Sequence, residues 1–495
     1  MKNIIPQSLK NIYHLFQAVF ANIWFGFPSR KLTVIGVTGT NGKTTTVQMA
    51  AKILEESNFK VAVASTINFK VAEKEWVNAS KFTTLSSFAL QKFLKQAISA
   101  DCEYAVIEIS SHSLDQNRAW GVDFDVTVIT NVTREHLDYH ETMEEYAKAK
   151  EKLFAMLKLS SDPTARPKRK ADGSRTVAVV NLGMEFAENF LKYEADEIYG
   201  YAVKISNFSA AADQFPTKSQ IPNPKLKMIV AEEIELGINY SKFKIQNSKF
   251  FLNLPGEFNI ENALAAACVG LSQGISLEKI SAALAKIKGV PGRMEKIENS
   301  RNLNIIVDYA VTPDSLEKLY GFIGEFTKRF DRAAKPYPDP LLSKEREGKI
   351  IAVFGSCGER DRGKRPIMGE IVTRHADYCI VTNEDPYREN PEQIINEVFS
   401  GVVGHKVDEQ IPNFEFRISN FESISNDKIL KSKTEGVDAF RILDRREAIK
   451  IALQIAKPGD TIVVTGMGAQ ETMAVGDKRI PWNDPKVIRE ILAEL

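Results

Sequence analysis

Short β-branched runs alternate with helical patterns along most of this chain. LTVIGVT, KVAVAST, YAVIEIS, VTVITNV and TVAVVNL are candidate strands between Lys31 and about Val290. A second series follows with LNIIVDYA, KIIAVFGS, YCIVTNE and DTIVVTGM. The alternation predicts an α/β fold in two parts: a central domain with a mainly parallel sheet over 31–290 and a C-terminal Rossmann-like α/β domain over 291–495. GVPGRME, with its Pro and Gly residues, reads as the linker between them. Residues 1–30 form a third segment. Leu9, Ile12, Tyr13, Phe16, Val19, Phe20, Ile23 and Trp24 recur there at helical spacing, which predicts an amphipathic helix.

That helix is expected to dock on its own domain. A membrane-surface or partner-binding helix is the alternative, since Lys2, Lys10, Arg30 and Lys31 are basic and no acidic residue precedes Glu55. His14, Gln17 and Asn22 interrupt any signal-peptide core. Two basic, proline-containing stretches, SSDPTARPKRKADGSR and RAAKPYPDPLLSKEREGK, read as exposed loop insertions.

Composition narrows the class. With 43% hydrophobic and 26% charged residues, the chain has the make-up of an ordinary globular protein. A net charge of +1 argues against a nucleic-acid binder working by broad electrostatics. Cys102, Cys268, Cys357 and Cys379 lie far apart without a C-x-x-C pair, which fits a reducing compartment rather than a disulfide framework. No apolar run approaches the ~20 residues that span a bilayer. A cytoplasmic monomer is expected.

The chemistry begins at VIGVTGTNGKTTTVQMAAKIL, where a strand, a glycine-rich loop and a helix follow in order. Gly39, Thr40, Asn41 and Gly42 let backbone N–H groups close on phosphate oxygens. Lys43 reaches the β/γ oxygens, and Thr44 and Thr45 open the helix, with Thr44 able to ligate Mg²⁺. Val37 stands where the general P-loop pattern has its first glycine. This loop predicts nucleotide binding and leaves the reaction open. His136 and His140 stand at i, i+4, but HLDYH lacks the glutamate of a zinc-protease helix.

The variant GTNGKTT resembles the loop of the Mur ligases, the ATP-dependent amide-forming enzymes of peptidoglycan synthesis. IEISSHSLDQNR, TNVTREHLDYHETMEEYAKAKEKLF, LPGEFNIENALAA, GVPGRME, VDYAVTPDSLEK and FGSCGERDRGKRPIMG extend the resemblance in the right order from Lys31 to the C-terminus. It implies ATP, a UDP-muramoyl-dipeptide and a diamino acid as substrates, with meso-2,6-diaminopimelate ahead of lysine. Two Mg²⁺ ions are implied, held by Thr44, Glu108, His136 and a CO₂-derived carbamate on Lys150, with Lys148 and Lys152 as surface neighbours. Out of context, EEYAKAKEKLF would read as a charged helix face. Thr83, Thr84, Ser110, Gln116 and Arg118 would bind the muramoyl-dipeptide, and Arg293 and Asp308 would contact ATP. Arg360, Glu384, Asp385, Pro386, Tyr387, Arg388, Gly466 and Gln470 would form the amino-acid site.

Three departures accompany the resemblance. These ligases usually carry a separate N-terminal domain for the uridine end, whereas about thirty residues precede the loop here. Val311 replaces the histidine of a DYAHTP pattern. NEDPYREN puts Tyr387 where diaminopimelate-adding members have an arginine, with Arg388 one place late, and Gln470 stands where glutamate is expected. The same loop would also serve a folylpolyglutamate synthetase, although SSHSLDQNR and HLDYH argue against one. A nucleotide-gated switch would need neither Lys150 nor a second domain, and a scaffold would not need the retained Lys43, Glu108 and His136.

Overall fold

The computed structural model describes residues 6–80, 82–159, 161, 175–204, 225–333, 348–403 and 438–495. Apart from their ends, the two basic stretches expected as surface loops lie outside the described residues. The chain divides into two units. One comprises Met1–Thr133 and Tyr139–Lys288; the other comprises Gly289–Leu495 and the short piece Arg134–Asp138.

The first unit is built on an eleven-stranded sheet. Its strands are β1 (Thr33–Thr38), β2 (Val61–Ala64), β3 (Asn68–Val71), β4 (Lys74–Val77), β5 (Tyr104–Glu108), β6 (Val126–Ile129), β7 (Val177–Asn181), β8 (Glu197–Val203), β9 (Leu226–Leu236), β10 (Ser241–Ile245) and β11 (Ser248–Leu252). The order is β11-β10-β9-β8-β7-β6-β1-β5-β2-β3-β4. From β2 to β9 the neighbours run parallel, and antiparallel hairpins extend both edges. β1 lies centrally, with Val34 opposite Ala105 on β5 and Ile35 opposite Val126 on β6. Both faces of this core are covered. Helices Lys43–Glu56 and Glu257–Ser272 pack together on one side. Leu90 and Leu94 of helix Ser87–Ser99, with Leu153 and Phe154 of helix Met143–Ala155, join the other. That double burial explains why the strands read as continuous apolar runs.

Helix Met143–Ala155 starts where the Thr142 hydroxyl accepts the Glu145 N–H at 3.2 Å, with Glu144 and Glu145 in the first turn. Its buried side carries Tyr146, Ala149, Lys150 and Leu153, so Lys150 lies inside the charged pattern but not on the wet face.

The N-terminal segment does form a helix, Gln7–Phe25, closed by Gly26 in the left-handed region at φ 70°. It docks through the side opposite to its apolar stripe. Ala18, Ala21 and Asn22 are wholly buried, while Leu9, Ile12, Tyr13, Phe16, Phe20, Ile23 and Trp24 are exposed. The Asn22 amide donates to the carbonyls of Ala18 and Trp120, both at 2.8 Å. Small residues allow close approach here, and one buried amide fixes the register. Amphipathicity identified the apolar face correctly but not the side on which the domain lies.

The second unit has a six-stranded sheet of β12 (Glu295–Ile297), β13 (Asn304–Asp308), β14 (Ile350–Phe354), β15 (Tyr378–Thr382), β16 (Asp438–Ile442) and β17 (Thr461–Thr465), in the order β12-β13-β17-β14-β15-β16. All pairs are parallel except β12–β13. A hairpin of β18 (Thr472–Val475) and β19 (Lys478–Pro481) follows. Residues Gly289–Glu295 turn into this unit through a Val290–Arg293 bridge.

Candidate active site

In an open parallel sheet, chemistry gathers at the carboxyl ends of the strands. In the first unit β1 leads into the phosphate loop, β5 ends at Glu108 and β6 is followed by Thr130 and Asn131. The loop is braced by β6: Thr40 N donates to the Asn131 carbonyl at 2.9 Å and Asn41 N to the Asn131 side chain at 2.8 Å. The Thr130 hydroxyl donates to the Asn41 carbonyl at 2.6 Å. Lys43 Nζ donates to the carbonyls of Gly39 and Thr40 at 3.0 and 2.8 Å, which fixes its ammonium over the loop. Thr44 and Thr45 are buried at the start of the following helix.

Gly39 has φ 149°, and a Cβ there would stand 1.8 Å from Thr130 Oγ1. Gly39→Ala is therefore expected to break the loop and weaken ATP binding at least tenfold, read by titration with a fluorescent ATP analogue, with the unfolding midpoint as a control.

Glu108 is 2% exposed and fully engaged. Thr44 Oγ1 donates to it at 3.0 Å, Thr66 N at 2.8 Å and the Thr66 hydroxyl at 2.9 Å. Hydroxyl and carboxylate oxygens on adjacent strand ends are the donor set a hard cation prefers, so these residues fit Mg²⁺. Thr66 links this pair to the expected dipeptide residues, with its hydroxyl 3.2 Å from Thr83. The Thr84 hydroxyl donates to the Glu108 carbonyl at 3.1 Å and lies 3.2 Å from Ser110 Oγ, which caps the short helix Ser111–Asp115. Arg118 holds Gln116 through Nε at 2.8 Å and reaches toward the Thr84 carbonyl. Thr83, Thr84, Ser110, Gln116 and Arg118 thus form one cluster beside Glu108.

Lys150 is 1% exposed, with Nζ 4.1 Å from the centre of the Tyr146 ring. Tyr146 in turn places its hydroxyl 3.2 Å from Thr40 Oγ1 in the phosphate loop. Lys148 lies on the surface with Glu145, whereas Lys152 is tied to Asp115 at 2.7 Å and is not a free surface lysine. His140 is buried against Ser111 Oγ at 3.0 Å. Burial, then the nearby Lys150 charge, pushes its imidazole down to about 4. His136 belongs to the piece grouped with the second unit; its backbone is left-handed at φ 57° and its Nδ1 lies 4.0 Å from Glu135.

The depressed His140 makes a pH prediction. The unfolded chain takes up that proton below about 6.5, the folded chain only near 4, so stability is full above pH 6.5 and is lost as pH falls through that window. Urea unfolding at pH 7.5 and at pH 5 should differ by roughly 1–3 kcal/mol, and His140→Gln should remove much of the difference.

In the second unit, Arg293 stacks on Tyr309 at 4.5 Å, and the Asp308 carboxylate accepts Met294 N at 2.7 Å. Burial pushes the Asp308 carboxyl up. The loop after β15 is strained, with Asp385 and Tyr387 in the left-handed region at φ 38° and 50°. It is held by Ala474 N on Asp385 Oδ1 at 2.6 Å, by Tyr387 N on the Ala474 carbonyl at 3.1 Å, and by Gly358 packed against the Pro386 carbonyl. Glu384 is buried against Gly466, where a Cβ would stand 2.2 Å from Oε2, and burial raises its carboxyl to about 7. Gln470 donates to Tyr309 Oη at 3.0 Å. Arg360 lies over the Tyr387 ring at 5.8 Å. Arg388 pairs with Asp477 on the surface.

Thr66, Asn131, Tyr146 and Asn262, whose amide oxygen accepts the Thr46 hydroxyl at 3.3 Å, also build the site. Three of these lie in or beside stretches already tied to the loop, but their contacts are long-range in sequence. Arg365 was missed as well: it is wholly buried and binds Glu389, Glu397 and the Cys357 carbonyl, which fixes the Gly355–Arg360 turn.

A phosphate-binding loop and an acidic strand end on one sheet, with a second parallel α/β unit, define a nucleotide-dependent α/β enzyme. The model of the Mur ligase middle domain matches residues 37–270, and that of the Mur ligase glutamate ligase domain matches 341–468. The chain belongs to the Mur ligase family of ATP-dependent amide-forming ligases. It is 35% identical to a UDP-N-acetylmuramyl-tripeptide synthetase of Roseiflexus sp. (strain RS-1), over 97% of this chain and 82% of that protein. It is 32% identical to a UDP-N-acetylmuramoyl-L-alanyl-D-glutamate--2,6-diaminopimelate ligase of Caldanaerobacter subterraneus subsp. tengcongensis, over 96% and 81%. A solved 2,6-diaminopimelate ligase of that type superposes with a TM-score of 0.52 at 27% identity, covering 94% of this chain and 78% of its own. A folylpolyglutamate synthase of Mycobacterium tuberculosis has a TM-score of 0.59 at 16% identity, over 92% and 96%, and shares the fold. Among the described residues no helix is long and apolar enough to cross a membrane.

Proposed function

We propose that this chain joins a diamino acid, meso-2,6-diaminopimelate, to the D-glutamate carboxylate of UDP-N-acetylmuramoyl-L-alanyl-D-glutamate, converting ATP to ADP and phosphate. The observation that carries the reading is the continuous cluster from the phosphate loop through Thr44, Glu108 and Thr66 to Thr83, Thr84 and Arg118. It supports the reading because residues suited to a triphosphate are linked by these contacts to residues suited to an anionic acceptor. Relatives that carry this activity in their names align over nearly the whole chain.

Hydroxide is a poor leaving group, so the carboxylate must first be activated. The loop amides and Lys43 hold the β- and γ-phosphates; Arg118, Gln116, Thr83, Thr84 and Ser110 hold the dipeptide. A carboxylate oxygen attacks the γ-phosphorus, the bond to the β–γ bridging oxygen breaks, and ADP leaves. The amine then attacks the acyl carbon, and phosphate departs with the bonding pair while the amine loses a proton. Positioning and charge stabilisation supply most of the rate. Thr44, Glu108, His136 and a carbamate on Lys150 would hold Mg²⁺, which neutralises charge building on the transferring phosphoryl group. Arg293 and Asp308 would contact the nucleotide. Arg360, with the Glu384–Tyr387 loop, Gly466 and Gln470, would orient the amino acid. The enzyme works as a cytoplasmic monomer, where ATP is available.

The test supplies ATP, Mg²⁺ and the UDP-muramoyl-dipeptide with one amino acid at a time and weighs the product. Tripeptide formed with meso-diaminopimelate is the expected outcome. Product with lysine alone would move the specificity, and stimulation by folate in place of the dipeptide would overturn the reading.

A further inference from the structure

The outward face of helix Gln7–Phe25 has no counterpart in the ligase chemistry. At 100° per residue, Leu9, Ile12, Phe16, Phe20, Ile23 and Trp24 fall within about a third of the circumference. Their exposures run from 49% to 70%. A helix that serves only its own domain buries such a stripe; this one buries alanines and shows the stripe to solvent. The patch continues onto helix Ser87–Ser99, where the half-exposed Phe88 ring lies 5.8 Å from Phe20 and 6.5 Å from Phe25. At i+4 and i+7 from Phe88, on the same face, are the exposed Lys92 and Lys95.

Charge selects the occupant. Neither helix contains an acidic residue, and the first acid in the chain is Glu55. Lys10 lies on the first helix, Arg30 and Lys31 in the turn Pro28–Lys31 that follows it, and Lys92 and Lys95 on helix Ser87–Ser99, with Arg30 still half-exposed beside Asp123 at 3.5 Å. A second copy of the same face would bring cations against cations. An anionic lipid surface offers both a hydrocarbon boundary for the rings and phosphates for the lysines.

We propose that this face docks on an anionic membrane surface, with the helix lying in the interfacial plane and the chain remaining on one side. The inner side of the helix is tied to the substrate cluster: Gln7 donates to the Tyr139 hydroxyl at 2.8 Å and Asn11 to Asp115 at 3.1 Å, while Gln116 reaches the same Tyr139 hydroxyl at 3.4 Å. The docked helix is thus a wall of the dipeptide region. The proposal does not depend on the ligase reading.

The test is flotation of the full chain with vesicles of phosphatidylcholine alone, or of phosphatidylcholine with phosphatidylglycerol, while Trp emission is followed. Binding to the anionic vesicles should exceed that to neutral ones by on the order of tenfold or more at low salt and shift emission to the blue. Phe16→Ser with Phe20→Ser, both at solvent-exposed positions, should abolish it at an unchanged urea midpoint. Protein that stays unbound with both vesicle types, or binding that the double variant retains, overturns the proposal. So does a dimer in solution that the double variant dissociates without any vesicle binding, which would give the face to a second copy.

Discussion

Lys150→Ala is expected to lower the rate of amide synthesis by roughly 10²–10³-fold, the scale seen when one preorganised electrostatic group is removed from a reacting centre. Lys150 sits on a helix whose pattern looks like solvated charge, yet its side chain is buried against Tyr146, which touches the phosphate loop. Only the neutral amine can add CO₂, giving a carbamate with release of a proton. The product is a carboxylate-like oxygen donor suited to Mg²⁺. Activity should therefore fall in CO₂-depleted buffer and return with bicarbonate, and ¹³C-bicarbonate should give a carbamate carbon signal that the variant lacks. An unchanged rate in Lys150→Ala would remove the carbamate from the metal site.

Asp484→Ala should cost the second unit about 3–5 kcal/mol, the usual penalty for stranding a buried charge. Arg445 and Asp484 are both buried and pair through two parallel bonds, Nε to Oδ1 at 2.9 Å and a terminal nitrogen to Oδ2 at 2.6 Å. Each opens a helix, Arg445–Ile455 and Asp484–Glu494. The same guanidinium also donates to the Thr465 carbonyl at 2.7 Å, at the end of β17 and next to Gly466. One ion pair therefore fastens two helix starts to the strand end that precedes Gly466. A urea midpoint left unchanged by the substitution would mean that Arg445 finds another acceptor.

The parallel cores of both sheets were legible in the sequence because burial on both faces leaves β-branched runs that need no partner to be recognised. The edge strands were harder. β4 is exposed throughout and β11 is only partly buried, so their identity comes from pairing rather than composition. Lys43 and Thr44 could be read because a phosphate loop is local: strand, glycines and helix start lie within a dozen residues. Asn131, Asn262 and Thr66 could not, since the first two reach the loop and its helix, and the third reaches Glu108, across the fold. Lys150 became visible only through resemblance to a family, because charge patterning alone gives a surface. The N-terminal helix shows the converse limit: its period located an apolar face but held nothing about which side its neighbours occupy.

The acyl phosphate is tested most directly by the fate of a carboxylate oxygen. The muramoyl-dipeptide labelled with ¹⁸O in its D-glutamate side-chain carboxylate is turned over with ATP and the amino acid, and the released phosphate is weighed. Transfer of one ¹⁸O to inorganic phosphate is the predicted result, because the attacking oxygen leaves with the phosphorus when the amine displaces it. Unlabelled phosphate alongside a labelled tripeptide would contradict it, and label in AMP would point to an adenylate instead.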